Sequence, residues 1–489
     1  MAASGNLDRI YIGGDWVTPD SSDRIEVISP VTEEPIASVP AGSRADVDAA
    51  VAAARRAFDE GPWPHLELSE RMACLARLKD IFERRAEEIA QTITAEMGSP
   101  ITASRTQQVP IPIMMMEAQL DLAPQLAWRE LRQSKTGNGL VLRKPKGVVV
   151  AIVPWNAPLM VTLAKIGPAL LAGCTVILKP APESPLSAYL LAEMIDEAGF
   201  PPGSFNMLCA DRAESEYLAL HPGVNKVSFT GSTIAGQTLA RGCGDLLRPI
   251  TLELGGKSAA VLLEDADVGA AIEALRVGSF RNSGQICSLK TRIVVSKRQE
   301  AEALERLEAL VASMPVGDPL DETTQIGPMV SQRQRDRVAG YIDTGLKEGA
   351  RLICGGPGRP EGLNRGWFVR PTILAGVDPG ATVAQEEIFG PVLSVITYDT
   401  EDEAIAIANN SQYGLNGSVF TADTARGVAI AERIKSGVVE VNGAGCGFHC
   451  PIGGVKASGI GREHGREGFD PYVEIRTIGL PKEYADSLA

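Results

Sequence analysis

The strongest constraint on the fold is a change of pattern at Gly147. From there, short continuous apolar runs alternate with helical ones. Residues 148–153, 174–179, 204–208 and 226–229 read as strands, and 159–172 and 187–198 as helices. An apolar run without alternation is buried on both faces, the habit of a parallel sheet. Strands alternating with helices predict a doubly wound α/β layer whose ligands sit beyond the carboxyl ends of the strands. Pro154-Trp155-Asn156-Ala157-Pro158, Lys179-Pro180-Ala181 and Thr230-Gly231-Ser232 stand at those ends. The last opens a helix over 234–241, whose first N–H groups can face a phosphate. Ile250, Leu252 and Leu254 then alternate, so Thr251 and Glu253 share the opposite face just before Gly255-Gly256. Taken singly, each has an ordinary reading: a solvated lysine, an exposed strand glutamate, a plain strand–helix turn.

A chain of 489 residues is too long for one core. Residues 300–313, 338–348 and 403–409 are helical in pattern, while 393–397, 417–420 and 438–441 are strand-like, which predicts a second α/β domain. Before Gly147, strands are expected over 10–16 and 24–28. Helices are expected over 47–58, over 68–97 with Gly98 as its stop, and over 109–131 with breaks at Pro110, Pro112 or Pro124. Residues 131–145 and 471–480 have strand character but no evident partner, and an unpaired edge strand invites pairing with another chain. The net charge of −14 argues against nucleic acid. The longest apolar stretches are too short for a membrane span, and residues 1–6 carry no basic start followed by an apolar block. The eight cysteines are scattered without a CxxC pair, as in a cytoplasmic protein with reduced thiols. Cys446, His449 and Cys450 have no fourth ligand in view, so no metal is expected.

One cysteine stands out. Asn282-Ser283-Gly284-Gln285-Ile286-Cys287-Ser288 lies between an apolar run and a strand-like one. Gly284 lets the backbone turn there. A thiol on such a junction is either a small buried hydrophobe or, with its pKa lowered, a nucleophile.

Together these stretches resemble the NAD(P)-dependent aldehyde dehydrogenase superfamily. PWNAP at 154–158, FTGS at 229–232, LELGGK at 252–257, NSGQIC at 282–287 and EEIFGPV at 386–392 stand in the family's order along nearly the whole chain. The resemblance implies a Rossmann-like NAD-binding domain from residues 1–122 and 146–253, and a catalytic domain from 254–470. It further implies oligomerisation segments at 123–145 and 471–489, serving a homodimer or homotetramer. Cys287 matches the nucleophile that forms a thiohemiacetal with the aldehyde. Asn156, with the Cys287 backbone N–H, matches the oxyanion hole. Glu253 matches the base that activates water against the thioester left after hydride transfer. Lys179 matches the adenosine-ribose contact, with Glu183 as a further cofactor-binding candidate one position past the family's glutamate. Gly231, Ser232 and Gly236 match the pyrophosphate turn, with Trp155 and Leu254 beside it. Glu387 matches the grip on the nicotinamide ribose, with Phe389 by the ring.

The sequence departs from the family pattern twice. Pro182 stands where a ribose-holding Glu is frequent, and Glu183 follows one position later. No Arg or extra Lys is seen nearby for a 2′-phosphate, so NAD is expected, with NADP as the alternative. Ile452 replaces the usual aromatic of a PFGG motif. The family's aldehyde tunnel would be lined here by Met115 with its neighbours Met114 and Met116, and by Leu120, Ile286 and Phe448, with His449 as a further candidate. No Arg or Lys stands in the loop 443–450, so a medium-sized apolar or aromatic aldehyde is expected rather than a carboxylate-bearing one. The rival readings are a CoA-acylating relative, which tends to lack the glutamate at the position of Glu253, and a non-catalytic protein that kept the fold.

Overall fold

Eight strands form the first sheet of the computed structural model, which describes residues 5–488. Residues 1–4 and 489, the extreme ends of the expected outer segments, lie outside the described residues. The sheet runs Gly459–Ile460, Ile250–Glu253, Lys226–Thr230, Val148–Ile152, Thr175–Lys179, Phe205–Met207, Ile10–Ile12, Asp15–Val17. The five central strands, from Ile250–Glu253 to Phe205–Met207, are parallel. Their apolar runs are buried on both faces, as the lack of alternation predicts. Val149, Ala151, Val176 and Leu178 enter one core, while Val148, Val150, Ile177 and Val227 enter the core on the opposite face.

The parallel part of this sheet begins at Val148–Ile152, moves outward to Phe205–Met207, then returns to the other side at Lys226–Thr230. That reversal is a topological switch point, where the strand ends splay and leave a crevice. Trp155 and Asn156 stand on one side of it and Thr230-Gly231-Ser232 on the other. Pro158 sits in the first turn of the helix Pro158–Leu171, where its missing N–H costs nothing. Ser232 caps the helix Thr233–Asp245, its Oγ accepting from the Ala235 N–H at 3.3 Å.

The second sheet has seven strands in the order Arg351–Cys354, Thr372–Ala375, Val392–Tyr398, Lys290–Ser296, Ser258–Leu262, Gly417–Phe420, Glu440–Val441, largely parallel. Three of its strands begin just after residues of interest: Gly255-Gly256, Cys287 and Glu387 to Phe389. The amino ends of this sheet therefore meet the carboxyl ends of the first.

The unpartnered segments pair with each other. Arg129–Ser134 and Gly137–Pro145 form a hairpin, and Val473–Leu480 adds antiparallel to the second strand. Ile475 and Ile478 stay 58% and 43% exposed on that added strand. Three expectations change in detail. The strand over 10–16 is a hairpin, because Gly13 and Gly14 both take left-handed φ (70° and 93°) and reverse the chain. The helix over 68–97 is two, Leu68–Arg84 and Ala86–Met97. They are joined at Arg85, which leaves helical geometry while its guanidinium bonds Glu88 and Glu193. The helix over 109–131 ends at Leu122: Pro110 and Pro112 lie in its first turn, and Pro124 lies in the tighter turn Ala123–Gln125 that stops it.

Candidate active site

The loop before Lys290–Ser296 is held in an uncommon conformation. Asn282, Ser283 and Gly284 take left-handed φ in succession (51°, 57° and 78°), so the turn expected at Gly284 is three residues deep. For a non-glycine residue this costs about 1–2 kcal/mol, and side-chain bonds offset it. Asn282 Nδ2 donates to the Asn156 carbonyl at 2.9 Å. Ser283 Oγ donates to the Gly327 carbonyl at 3.0 Å and accepts from the Gly327 N–H at 2.9 Å. Gln285 Oε1 accepts from the Val330 N–H at 3.1 Å. Gly284 is required on a second count, since a Cβ there would lie 2.2 Å from the Gly390 carbonyl. The result is a rigid bracket that carries Cys287 into the crevice.

That crevice is a cleft of about 770 Å³ walled by both sheets. Cys287 is half-buried in it. Burial, then the carboxylates of Glu387 and Glu253, push the Cys287 thiol up to about 12; its own backbone N–H and Arg281 act the other way. Asn156 is buried, and Nδ2 donates to the Gln285 carbonyl at 2.9 Å. An amide nitrogen carries two donors, so a second N–H remains for a ligand. Glu253 ends its strand beside Thr230. It is buried, and its Oε1 has no hydrogen-bond partner. Gly453 is needed against it, for a Cβ there would lie 2.8 Å from that oxygen. Burial, and after it the Glu463 carboxylate, raise the Glu253 pKa to about 8; Lys165 and Arg462 oppose the rise. Glu463 is itself paired at 2.5 Å with the fully buried Lys165.

At the other end, Trp155 meets the Phe389 ring edge-on at 5.4 Å. Gln334 Nε2 donates to the carbonyls of Phe389 at 2.7 Å and Ile388 at 3.1 Å, fixing that loop. Glu387 Oε1 accepts from the Gly256 N–H at 3.0 Å. Gly255 comes so close that a Cβ would lie 2.6 Å from Glu387 Oε2. Thr230 Oγ1 is buried without a partner beside the N-terminus of Thr233–Asp245. A helix N-terminus, an orphaned hydroxyl, a carboxylate and an aromatic pair along one cleft fit the pyrophosphate, ribose and nicotinamide of a dinucleotide.

Not every residue singled out in the sequence lines this cleft. Trp155, Asn156, Gly231, Ser232, Glu253, Leu254, Ile286, Cys287, Glu387, Phe389 and Phe448 do. Gly236 lies underneath: a Cβ there would meet Leu254 Cδ2 at 2.5 Å, so it serves close helix–strand packing. Lys179 is buried at its strand end, outside the cleft, and burial lowers its pKa against Cys209, Glu183 and Asp211. Met115 lines a small gap with Phe448 and His464. Leu120 packs on the core behind it and lines neither. Helical phase decides this, and without the direction of the core the phase could not be read. The expected absence of an arginine near the ribose position is corrected: Arg333, from the second domain's helix Gln332–Lys347, pairs with Glu183 at 3.4 Å. Missed altogether were Met160, Val161, Ala164 and His464, and Arg281. Arg281 carried one signal, a charged residue at the end of an apolar run. Among the described residues no group of three or more His, Cys, Asp or Glu side chains is placed to hold a metal ion, and no helix is long and apolar enough to cross a membrane.

Comparison with known proteins agrees with this geometry. The profile of the Aldehyde dehydrogenase family matches residues 16–478. Geranial dehydrogenase of Castellaniella defragrans is 45% identical over 472 residues, covering 96% of this chain and 98% of that protein. Among solved structures, an aldehyde dehydrogenase of Mycobacterium tuberculosis complexed with NAD+ superposes with a TM-score of 0.95 at 45% identity. It covers 97% of this chain and 98% of its own. A mutant of aldehyde dehydrogenase C of Pseudomonas syringae, complexed with NAD+ and octanal, gives 0.94 at 40% identity and 97% coverage of both chains. The chain therefore belongs to the aldehyde dehydrogenase family, enzymes that oxidise aldehydes to carboxylic acids with a nicotinamide cofactor.

Proposed function

We propose that this protein oxidises a medium-sized aldehyde with an apolar or aromatic body, using NAD, with Cys287 as nucleophile, Asn156 as oxyanion donor and Glu253 as base. The observation that carries the reading is the convergence of these three side chains, from separate stretches of the chain, on one cleft. Cys287 Sγ attacks the aldehyde carbon, and the developing oxyanion takes the free Asn156 N–H and the Cys287 backbone N–H, donors already in place. A bound NAD, its nicotinamide end beside Glu387 and Phe389, would supply the hydride acceptor. Glu253 then removes a proton from water that attacks the thioester, and its raised pKa places the needed ionisation near neutral pH. Lys179 and Glu183 are proposed to hold the adenosine ribose, Gly231 and Ser232 the pyrophosphate, and Glu387 the nicotinamide ribose.

Apolar substrate walls are supported by Met160, Val161, Ala164, Ile286, Phe448 and Ile452 in the cleft, and by relatives named for geranial and found with octanal. The presence of Glu253 favours hydrolysis over transfer to CoA. Residues 1–122 with 146–253, and 254–470, are proposed as the cofactor and catalytic domains. One exchange complicates that division: Gly459–Ile460 joins the first sheet. The exposed Ile475 and Ile478 support self-association through 123–145 and 471–489 into a cytoplasmic dimer or tetramer. Light scattering that gives a monomer refutes that part. The main test is nicotinamide reduction with NAD and NADP in parallel, across aliphatic, aromatic and acidic aldehydes, with Cys287→Ala as control. NAD-linked turnover of apolar aldehydes that vanishes in the variant is expected. Turnover that survives in the variant, or is fastest with acidic aldehydes, overturns the reading.

A further inference from the structure

The Cys287 thiol poses an electrostatic problem. It is enclosed with the carboxylates of Glu253 and Glu387, so ionising it adds a negative charge to a site that already disfavours one. Proton transfer from the thiol to Glu253 is uphill on the pKa values that burial gives the two groups.

One cation acts against this. Arg281 lines the same cleft and stands on the same bracket as Cys287, at the junction of the helix Val268–Phe280 with the left-handed turn. Its Nε is shut off from solvent and has no hydrogen-bond partner. The carboxylate that acts on it is Glu440, which lines both this cleft and an adjoining chamber with Arg281. Glu440 is committed elsewhere: its Oε1 accepts from Lys290 Nζ at 2.7 Å and from Asn416 Nδ2 at 3.0 Å. Arg281 thus shares Glu440 with Lys290 and Asn416, and part of its charge stays available to the thiol in the same cleft. The bonds of Asn282, Ser283 and Gln285 that lock the turn also hold the backbone that carries both Arg281 and Cys287.

We propose that Arg281 is a positioning residue for the nucleophile, whose only partly neutralised guanidinium stabilises the Cys287 thiolate. The proposal rests on the reading of Cys287 as nucleophile. It also gives the Arg281 charge a role beside the apolar side chains of Met160, Val161, Ala164, Ile286 and Phe448: it serves the thiolate rather than a carboxylate on the aldehyde.

The test is alkylation of Cys287 in the cofactor-free, full-length protein, followed by peptide mass spectrometry between pH 6 and 10. Wild type is compared with R281K, R281Q and R281M, and thermal melts verify that each is folded. With neutral iodoacetamide, the thiol of R281M and R281Q is expected to titrate about one pH unit higher, which this range reads as slower labelling at every pH. That is roughly tenfold slower labelling below both midpoints, and R281K keeps most of the wild-type rate. Should R281M fail to fold, R281Q carries the comparison, and R281K tests whether charge alone suffices. Superimposed profiles overturn the proposal. So does a loss seen only with iodoacetate, which would show that the guanidinium attracts a substrate carboxylate instead. Failure of the underlying reading looks different: Cys287→Ala would still turn over aldehyde.

Discussion

The environment of Glu253 sets a pH dependence that can be worked out in advance. Burial and the neighbouring Glu463 carboxylate hold its pKa near about 8. The group is then about one-tenth ionised at pH 7, half at pH 8 and about nine-tenths at pH 9. A step that uses the ionised form as base should speed up about tenfold between pH 7 and 9 and then level off. The assay must isolate that step, because the first one also responds to pH through Cys287. Excess enzyme is mixed with aldehyde and NAD for a single turnover, and decay of the acylated protein is followed by intact mass. Glu253→Gln should leave the acyl form persistent and its residual decay flat across this range. The same variant has a stability signature. The folded-state pKa lies above the unfolded value, so the contribution of the carboxyl to stability is fully present below about pH 4.5 and is lost as pH rises through about 8. A neutral amide never incurs that loss. Glu253→Gln should therefore melt close to wild type at pH 4.5 and above it at pH 9, by an amount on the order of a few kcal/mol. A tenfold rise in decay rate that survives in Glu253→Gln, or a wild-type profile already flat at pH 6, refutes the reasoning.

Two other perturbations test separate parts of the site. Asn156→Ala removes one oxyanion donor and should lower kcat/KM by about 100- to 1,000-fold; a loss under tenfold, in protein with unchanged circular dichroism, would remove Asn156 from its role. Glu183→Gln removes a like charge from the 2′-phosphate position and releases Arg333, so NADP affinity measured by fluorescence titration should rise about tenfold relative to NAD. Arg333→Ala should lower NADP affinity without touching NAD, and equal effects on both would refute the pairing.

Much of this architecture was legible because it is written in local periodicity. Unbroken apolar runs at 148–153 and 174–179 announced strands buried on both faces, and Val149 and Val148 do enter opposite cores. Motif residues at strand ends were legible for the same reason, since the end of a run can be read without knowing its neighbours. What escaped depends on partners far along the chain. Arg281 is informative only because Glu440 is bound by Lys290 and Asn416. Arg333 matters because another domain delivers it to Glu183. Leu120 lies on the right helix but the wrong side, and the break at Arg85 has no proline or glycine to mark it.

The late return of the chain to the first sheet has a consequence for biogenesis. Gly459–Ile460 pairs with Ile250–Glu253, Ile452 bridges Glu463, and Val473–Leu480 closes the small sheet with Gly137–Pro145. The cofactor sheet and the thiol loop can form on a nascent chain well before these residues are made. The surroundings of Glu253 cannot, because Gly453 and Glu463 are synthesised long after it. Contacts of such long sequence separation form late. During synthesis the protein therefore passes through a stage with a nucleophile but no tuned base, and a chain truncated after residue 450 should accumulate acylated thiol instead of turning over.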